Sequence, residues 1–89
     1  MNDLEITRLC AEAIEMKTFE DSEGCGDWYD PLHNDAQAMA LVKRFELDLY
    51  RYPGKWRADF ERWLSHIIGE NDNLNRAICE CIAKMQAAK

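Results

Sequence analysis

Residues 45–60 read FELDLYRYPGKWRADF, and the fold turns on how they are read. Leu47 and Leu49 alternate with Glu46, Asp48 and Tyr50, and Trp56, Ala58 and Phe60 alternate with Arg57 and Asp59. Successive side chains of a strand point to opposite faces, so a period of two predicts two strands, each with one face on a core. Between them stands Pro53–Gly54. Proline presets φ for a turn and glycine accepts a positive φ, so the two strands form an antiparallel hairpin. The next segment, ERWLSHIIG (61–69), is ambiguous. Leu64, Ile67 and Ile68 fit a helical turn, whereas Trp63, Ser65 and Ile67 fit one face of a strand; a third strand is the preferred expectation.

Helical periodicity brackets this hairpin. A first helix is expected from about Leu4 to Met16, with Asp3 as N-cap and Ile6, Leu9, Cys10, Ala13 and Ile14 as its apolar stripe. A second begins at Asn34 or Asp35. Ala38, Leu41, Val42 and Phe45 form one stripe, and Ala36, Met39 and Ala40 beside it suggest burial against more than one neighbour. Lys43 and Arg44 suit the C-terminal end of its dipole. In the last helix Asn71, Asp72 and Asn73 supply caps, and Leu74, Ala77, Ile78, Cys81, Ile82 and Met85 form the stripe. Arg76, Glu80 and Lys84 recur at four-residue steps on its polar side. Short extended pieces are expected around Lys17–Glu20 and Trp28–Tyr29, flanking a turn at Gly24 and Gly26. The order α–(β)–α–β–β–β–α predicts one α+β domain over residues 1–89. Three helices pack on a small antiparallel sheet, in the manner of an α/β/α sandwich.

Composition narrows the setting. A chain of 89 residues suits a single domain. Folding at this size buries roughly 60–65% of the unfolded surface, which leaves room for a second copy to cover unused apolar area. Eleven basic against 17 acidic residues give a net charge of −6. That disfavours direct nucleic-acid binding, which needs a basic surface, and favours a basic partner. The interspersed lysines and arginines argue against a mimic of DNA. No apolar run reaches the ~20 residues of a membrane span, and the acidic N-terminus is unlike a signal peptide. The expectation is a cytoplasmic protein whose four cysteines, Cys10, Cys25, Cys79 and Cys81, stay reduced.

Candidate chemistry is sparse. Asp27, Asp30, His33 and Asp35 fall within nine residues and have the ligand types of a hard cation site. The simpler reading uses Asp30–Pro31 as a turn, Asn34 or Asp35 as a helix cap, and His33 as a bond to local backbone. Cys79 and Cys81, two apart on a helix, cannot both face one ion, and Cys79 lies off the apolar stripe. Cys25 stands between acidic neighbours that raise a thiol pKa, and His66 is read as a packed or hydrogen-bonded side chain. No catalytic residues, cofactor or metal are expected.

The aromatics carry more information. Trp28, Tyr29, Tyr50, Tyr52, Trp56 and Trp63 gather around the hairpin and loop, interleaved with Arg51, Arg57 and Arg62. Tyr, Trp and Arg dominate binding hot spots. The expected partner contacts are therefore Tyr50, Arg51, Tyr52, Trp56 and Arg57, with the acidic loop residues Glu20, Asp21 and Glu23 second.

Three stretches also carry a family resemblance: YDPLHNDAQAMALVKRF (29–45), the strands around Lys55–Trp56, and NLNRAICECIAKMQAAK (73–89). Together they resemble the phage ABA-sandwich family of small phage and prophage proteins, to which the NinX-like proteins of lambdoid phages are similar. The resemblance spans most of the chain. It is firmest at residues 28–45 and 73–88 and weakest at 17–27 and 46–70. It implies a helix–sheet sandwich and a phage accessory role, brings no catalytic residues with it, and supports the capping reading of Asp30, Pro31 and Asp35. The leading expectation is a non-enzymatic protein that binds a host or phage protein, as an inhibitor of bacterial anti-phage defence. The alternatives are an oligomer that sequesters a nucleotide-like ligand and a metal-dependent enzyme built on Asp27, Asp30 and Asp35.

Overall fold

Three helices and a three-stranded antiparallel sheet make up the fold in a computed structural model that describes residues 2–14, 29–62 and 65–88, with the backbone alone at Arg62 and Ser65. The elements are α1 (Asp3–Ala13), α2 (Asp35–Phe45), β1 (Asp48–Tyr52), β2 (Lys55–Arg62), β3 (Ser65–Asn71) and α3 (Leu74–Ala87). The α+β expectation holds, and residues 65–71 are the third strand. The expected extended pieces at 17–20 and at Trp28 lie outside the described residues, and Tyr29 is in no strand.

The sheet is a meander in the order β1–β2–β3. Tyr52 pairs with Lys55 across a two-residue loop, and Gly54 adopts φ +79° there, the second central position of a type II turn. That pairing fixes the rest of the β1–β2 register, Tyr50 with Arg57 and Asp48 with Asp59; β3 pairs with the other edge of β2, Arg57 with Glu70, Asp59 with Ile68 and Glu61 with His66. Leu49, Ala58, Phe60, Ile67 and Gly69 alternate onto the other, helix-bearing face.

Helix α3 lies on β3 and β2 and also packs against α1 and α2. Its position depends on Gly69. A Cβ there would sit 2.2 Å from the Ala77 carbonyl oxygen and 2.6 Å from the Cys81 nitrogen, so the helix backbone rests directly on the strand. The Cys81 thiol donates to the Ile67 carbonyl at 3.5 Å, and Lys84 Nζ donates to the Ile68 carbonyl at 2.9 Å. Ala77, Ile78, Cys79, Cys81, Ile82, Ala83 and Met85 are all buried, roughly two-thirds of the helix circumference at 100° per residue. Arg76, Glu80 and Lys84 occupy the remaining strip. Cys79 is therefore not off the apolar face as its spacing implied, because α1 covers that side. The Cys10 thiol donates to the Cys79 carbonyl at 3.4 Å, and both residues are fully buried.

The caps are asparagines. Asn2, rather than the expected Asp3, caps α1 by accepting from the Glu5 N–H. Asp3 instead pairs with Arg76, which also bonds Glu80 at 2.9 Å and so fastens the start of α1 to α3. Asn34 caps α2 and Asn73 caps α3, each through the N–H three residues on. Helix α2 ends at Glu46, a left-handed cap at φ +53°, and the Phe45 and Phe60 rings meet edge to face at 6.3 Å, tying that end to the sheet. The breadth of its apolar pattern is not used among the described residues: Ala38 and Leu41 are buried, whereas Ala36, Met39 and Ala40 are exposed. No described helix is long and apolar enough to cross a membrane.

Gly69→Ala is expected to cost about 3 kcal/mol or to prevent folding, since neither clashing atom belongs to a flexible side chain. Gly54→Ala meets open space and is expected to cost about 1 kcal/mol through its positive φ alone. Urea denaturation of the two variants compares them, and equal losses would mean that α3 does not rest on Gly69. Asn73→Ala, which removes the cap of α3, is expected to lower stability by about 1 kcal/mol in the same assay.

Candidate functional site

The sheet face away from α3 carries a connected set of charged and aromatic side chains. The register puts Tyr52 beside Lys55, Tyr50 beside Arg57 and Glu70, Asp48 beside Asp59 and Ile68, and Glu61 beside His66. Tyr50 and Tyr52 are 45% and 38% exposed. The Arg57 guanidinium lies 6.0 Å from the Tyr50 ring centre and Lys55 Nζ 5.7 Å from that of Tyr52, the geometry of cation–π contacts. Both cations are also anchored from the side. Lys55 Nζ is 2.7 Å from a Glu70 carboxylate oxygen, and Arg57 donates to Asp59 through Nε at 2.6 Å and Nη2 at 3.0 Å.

Asp59 is the unusual member. It is a buried carboxylate, 6% exposed, on a strand face otherwise lined with solvent-facing residues. A buried charge is tolerated when it is paired and hydrogen-bonded. Here Arg57 grips both oxygens, and His66 Nε2 approaches Oδ2 at 3.1 Å. A carboxylate only accepts, so Nε2 carries the imidazole proton and the tautomer of His66 is fixed. The Arg57 hydrogen bond holds the Asp59 carboxyl below the ordinary aspartate range; burial opposes this, and the His66 hydrogen bond adds to it. Its salt bridge to Lys55 likewise lowers Glu70.

The expected contact residues do not share one face. Tyr50, Tyr52 and Arg57 lie together on the outer face. Arg51 and Trp56 pair with each other on the opposite face, with the guanidinium 5.6 Å from the indole ring centre. Glu20, Asp21 and Glu23 lie outside the described residues, as do Cys25, Asp27, Trp28 and Trp63. Sequence reasoning missed Lys55, Asp59, His66 and Glu70 as members of the cluster. Lys55 and Asp59 were within reach, since the two-residue Pro–Gly loop sets the pairing of residues 52 and 55 and the β1–β2 pairs follow by counting; His66 and Glu70 depend on the β2–β3 register, which that loop does not set.

The carboxylates near Pro31 have local uses. His33 Nδ1 bonds the Asp30 carboxylate at 2.9 Å, rather than the local backbone that the sequence suggested for its ring. The Asp30 N–H donates to Gln37 Oε1 at 2.6 Å, and Tyr29, Pro31 and Leu32 are buried beside it. Asp35 Oδ1 accepts from Asn75 Nδ2 at 2.8 Å and so links the first turns of α2 and α3. Among the described residues no three His, Cys, Asp or Glu side chains converge as metal ligands. An open cleft of about 310 Å³ lies beside the Asp35–Asn75 bond, lined by Asp35, Met39, Asn73, Leu74 and Asn75. The Cys79 thiol is driven upward by its contact with Cys10 and by burial, and burial pushes Cys81 up to about 11, so both are thiols at neutral pH.

The chain matches no protein-family model, no curated protein and no solved structure.

A carboxylate held below its ordinary pKa stabilises the fold at pH values above the unfolded aspartate pKa of ~3.9, and that contribution is lost as pH falls through the folded pKa. Thermal unfolding from pH 7 to pH 2 is therefore expected to show the wild type losing stability on the acid side. Asp59→Asn should be less stable at pH 7 and have a flatter acid limb. Parallel curves for the two proteins would mean that the Arg57–Asp59 pair adds nothing to the folded state.

Proposed function

We propose that the chain is a small, non-enzymatic accessory protein of phage or prophage origin. In this reading it binds a host or phage protein through the outer face of the sheet, as an inhibitor of a bacterial anti-phage defence system. The observation that carries the reading is the placement of Tyr50 and Tyr52. Two tyrosines stand exposed on one face, and Arg57 and Lys55, themselves salt-bridged, hold them in place. Binding costs conformational entropy when side chains must be ordered, and a surface already ordered by its own contacts avoids part of that cost. Tyrosine and arginine then offer large contact area, hydrogen bonds and a flat guanidinium to the partner. The phage setting and the defence target rest on the resemblance of residues 29–45 and 73–89.

Immobilised protein is exposed to lysate of a bacterial host, and captured proteins are identified by mass spectrometry. The double variant Tyr50→Ala and Tyr52→Ala is expected to lose capture of the partner by about tenfold or more, since each hot-spot truncation costs above ~1 kcal/mol. Arg8→Ala, on the exposed side of α1, is expected to leave capture unchanged. Equal capture by wild type and double variant would remove the sheet face as the binding surface.

A further inference from the structure

Helix α2 turns an apolar face to solvent. Ala36, Met39, Ala40 and Lys43 are exposed and recur at helical spacing on one side, while Ala38 and Leu41 take the opposite, buried side. Met39, 38% exposed, also forms a wall of the 310 Å³ cleft, which carries the apolar surface across to the half-buried Leu74. The charges on this face are polarised. Asp35 stands in the first turn with one oxygen on Asn75, and Lys43 stands in the last turn with no ion pair among the described residues. Such a face complements itself in one orientation. A twofold axis at Met39 reverses the helix and brings each Asp35 to the level of the other copy's Lys43. It also sets the two helix dipoles antiparallel and lays alanine and methionine surface against its own kind. The small alanines permit a close approach of the helix axes, and the cleft leaves room beside Met39 for the other copy's side chains.

We propose that the exposed face of α2 is the interface of a homodimer, in which two copies dock by antiparallel α2 helices sealed by Asp35–Lys43 pairs at both ends. This face of α2 is separate from the outer face of the sheet and from any partner bound there. A single helix pair is a small interface, so the dimer forms at concentrations on the order of 10–100 µM.

Sedimentation velocity of the full chain from about 5 to about 500 µM reads the equilibrium directly. The wild type is expected to pass from monomer to dimer across that range. Met39→Lys alters an exposed position and should keep the circular dichroism of the wild type while weakening dimerisation by about tenfold or more. Lys43→Glu and Asp35→Lys should each weaken it similarly, because like charges then meet at both ends. An equimolar mixture of those two variants should recover dimer, since every end contact again joins opposite charges. A wild type that stays monomeric at the highest concentration overturns the proposal, as does a Met39→Lys protein that dimerises like the wild type. A mixture no more dimeric than its separate components overturns the antiparallel pairing.

Discussion

The fold depends on the absence of a side chain at Gly69. With only hydrogen there, the α3 backbone reaches the strand itself, closer than any Cβ would permit. Ala58, next to Gly69 in the sheet, and Ala77 and Cys81 on the helix keep the same contact small, and all three are fully buried. A helix seated this deeply cannot keep one wet side of ordinary width. It offers its remaining flanks to α1 and α2, which is why Cys79 and Ala83 are as buried as Ile78 and Ile82. Only the Arg76–Glu80–Lys84 strip stays polar, and even that strip works. Arg76 holds the start of α1, and Lys84 caps a carbonyl of β3.

Much of this was legible in the sequence, for physical reasons that differ by element. The hairpin was readable because its period-two pattern, its Pro–Gly turn and its register are all local. The terminal helix was readable because its stripe is unbroken. The burial of Cys79 was not, since it reflects a second packing partner brought from about seventy residues away. Asn2 displaced Asp3 as the cap because Asp3 had a distant cation to meet. The exposed alanines of α2 show the opposite limit: an apolar pattern marks surface fit for burial without saying whether the chain itself will bury it.

The candidate site was half visible. Tyr50, Tyr52 and Arg57 were found as aromatics and arginines close in sequence, but that criterion also gathered Arg51 and Trp56, whose alternation sends them to the other side. His66 was legible as a packed or hydrogen-bonded side chain, but its partner Asp59 was not, because the two meet only when β3 lies beside β2. Once the strands pair, each cation on the outer face has two neighbours, a ring and a carboxylate. Arg57 joins the Tyr50 row to the Asp59–His66 pair, and Lys55 joins Tyr52 to Glu70. A change at one member is therefore felt along the face, and single substitutions there report on the network as well as on the residue replaced.

The arrangement of contacts along the chain also has a kinetic meaning. The β1–β2 and β2–β3 pairings and the docking of α3 on β3 each close short loops, and short loops close at little entropic expense. The α1–α3 contact, with Cys10 against Cys79 and Asp3 against Arg76, joins residues 69 and 73 positions apart. Loop closure thus favours an order in which sheet and α3 assemble as a nucleus and α1 docks onto them afterwards. The first helix would be the last to find its place.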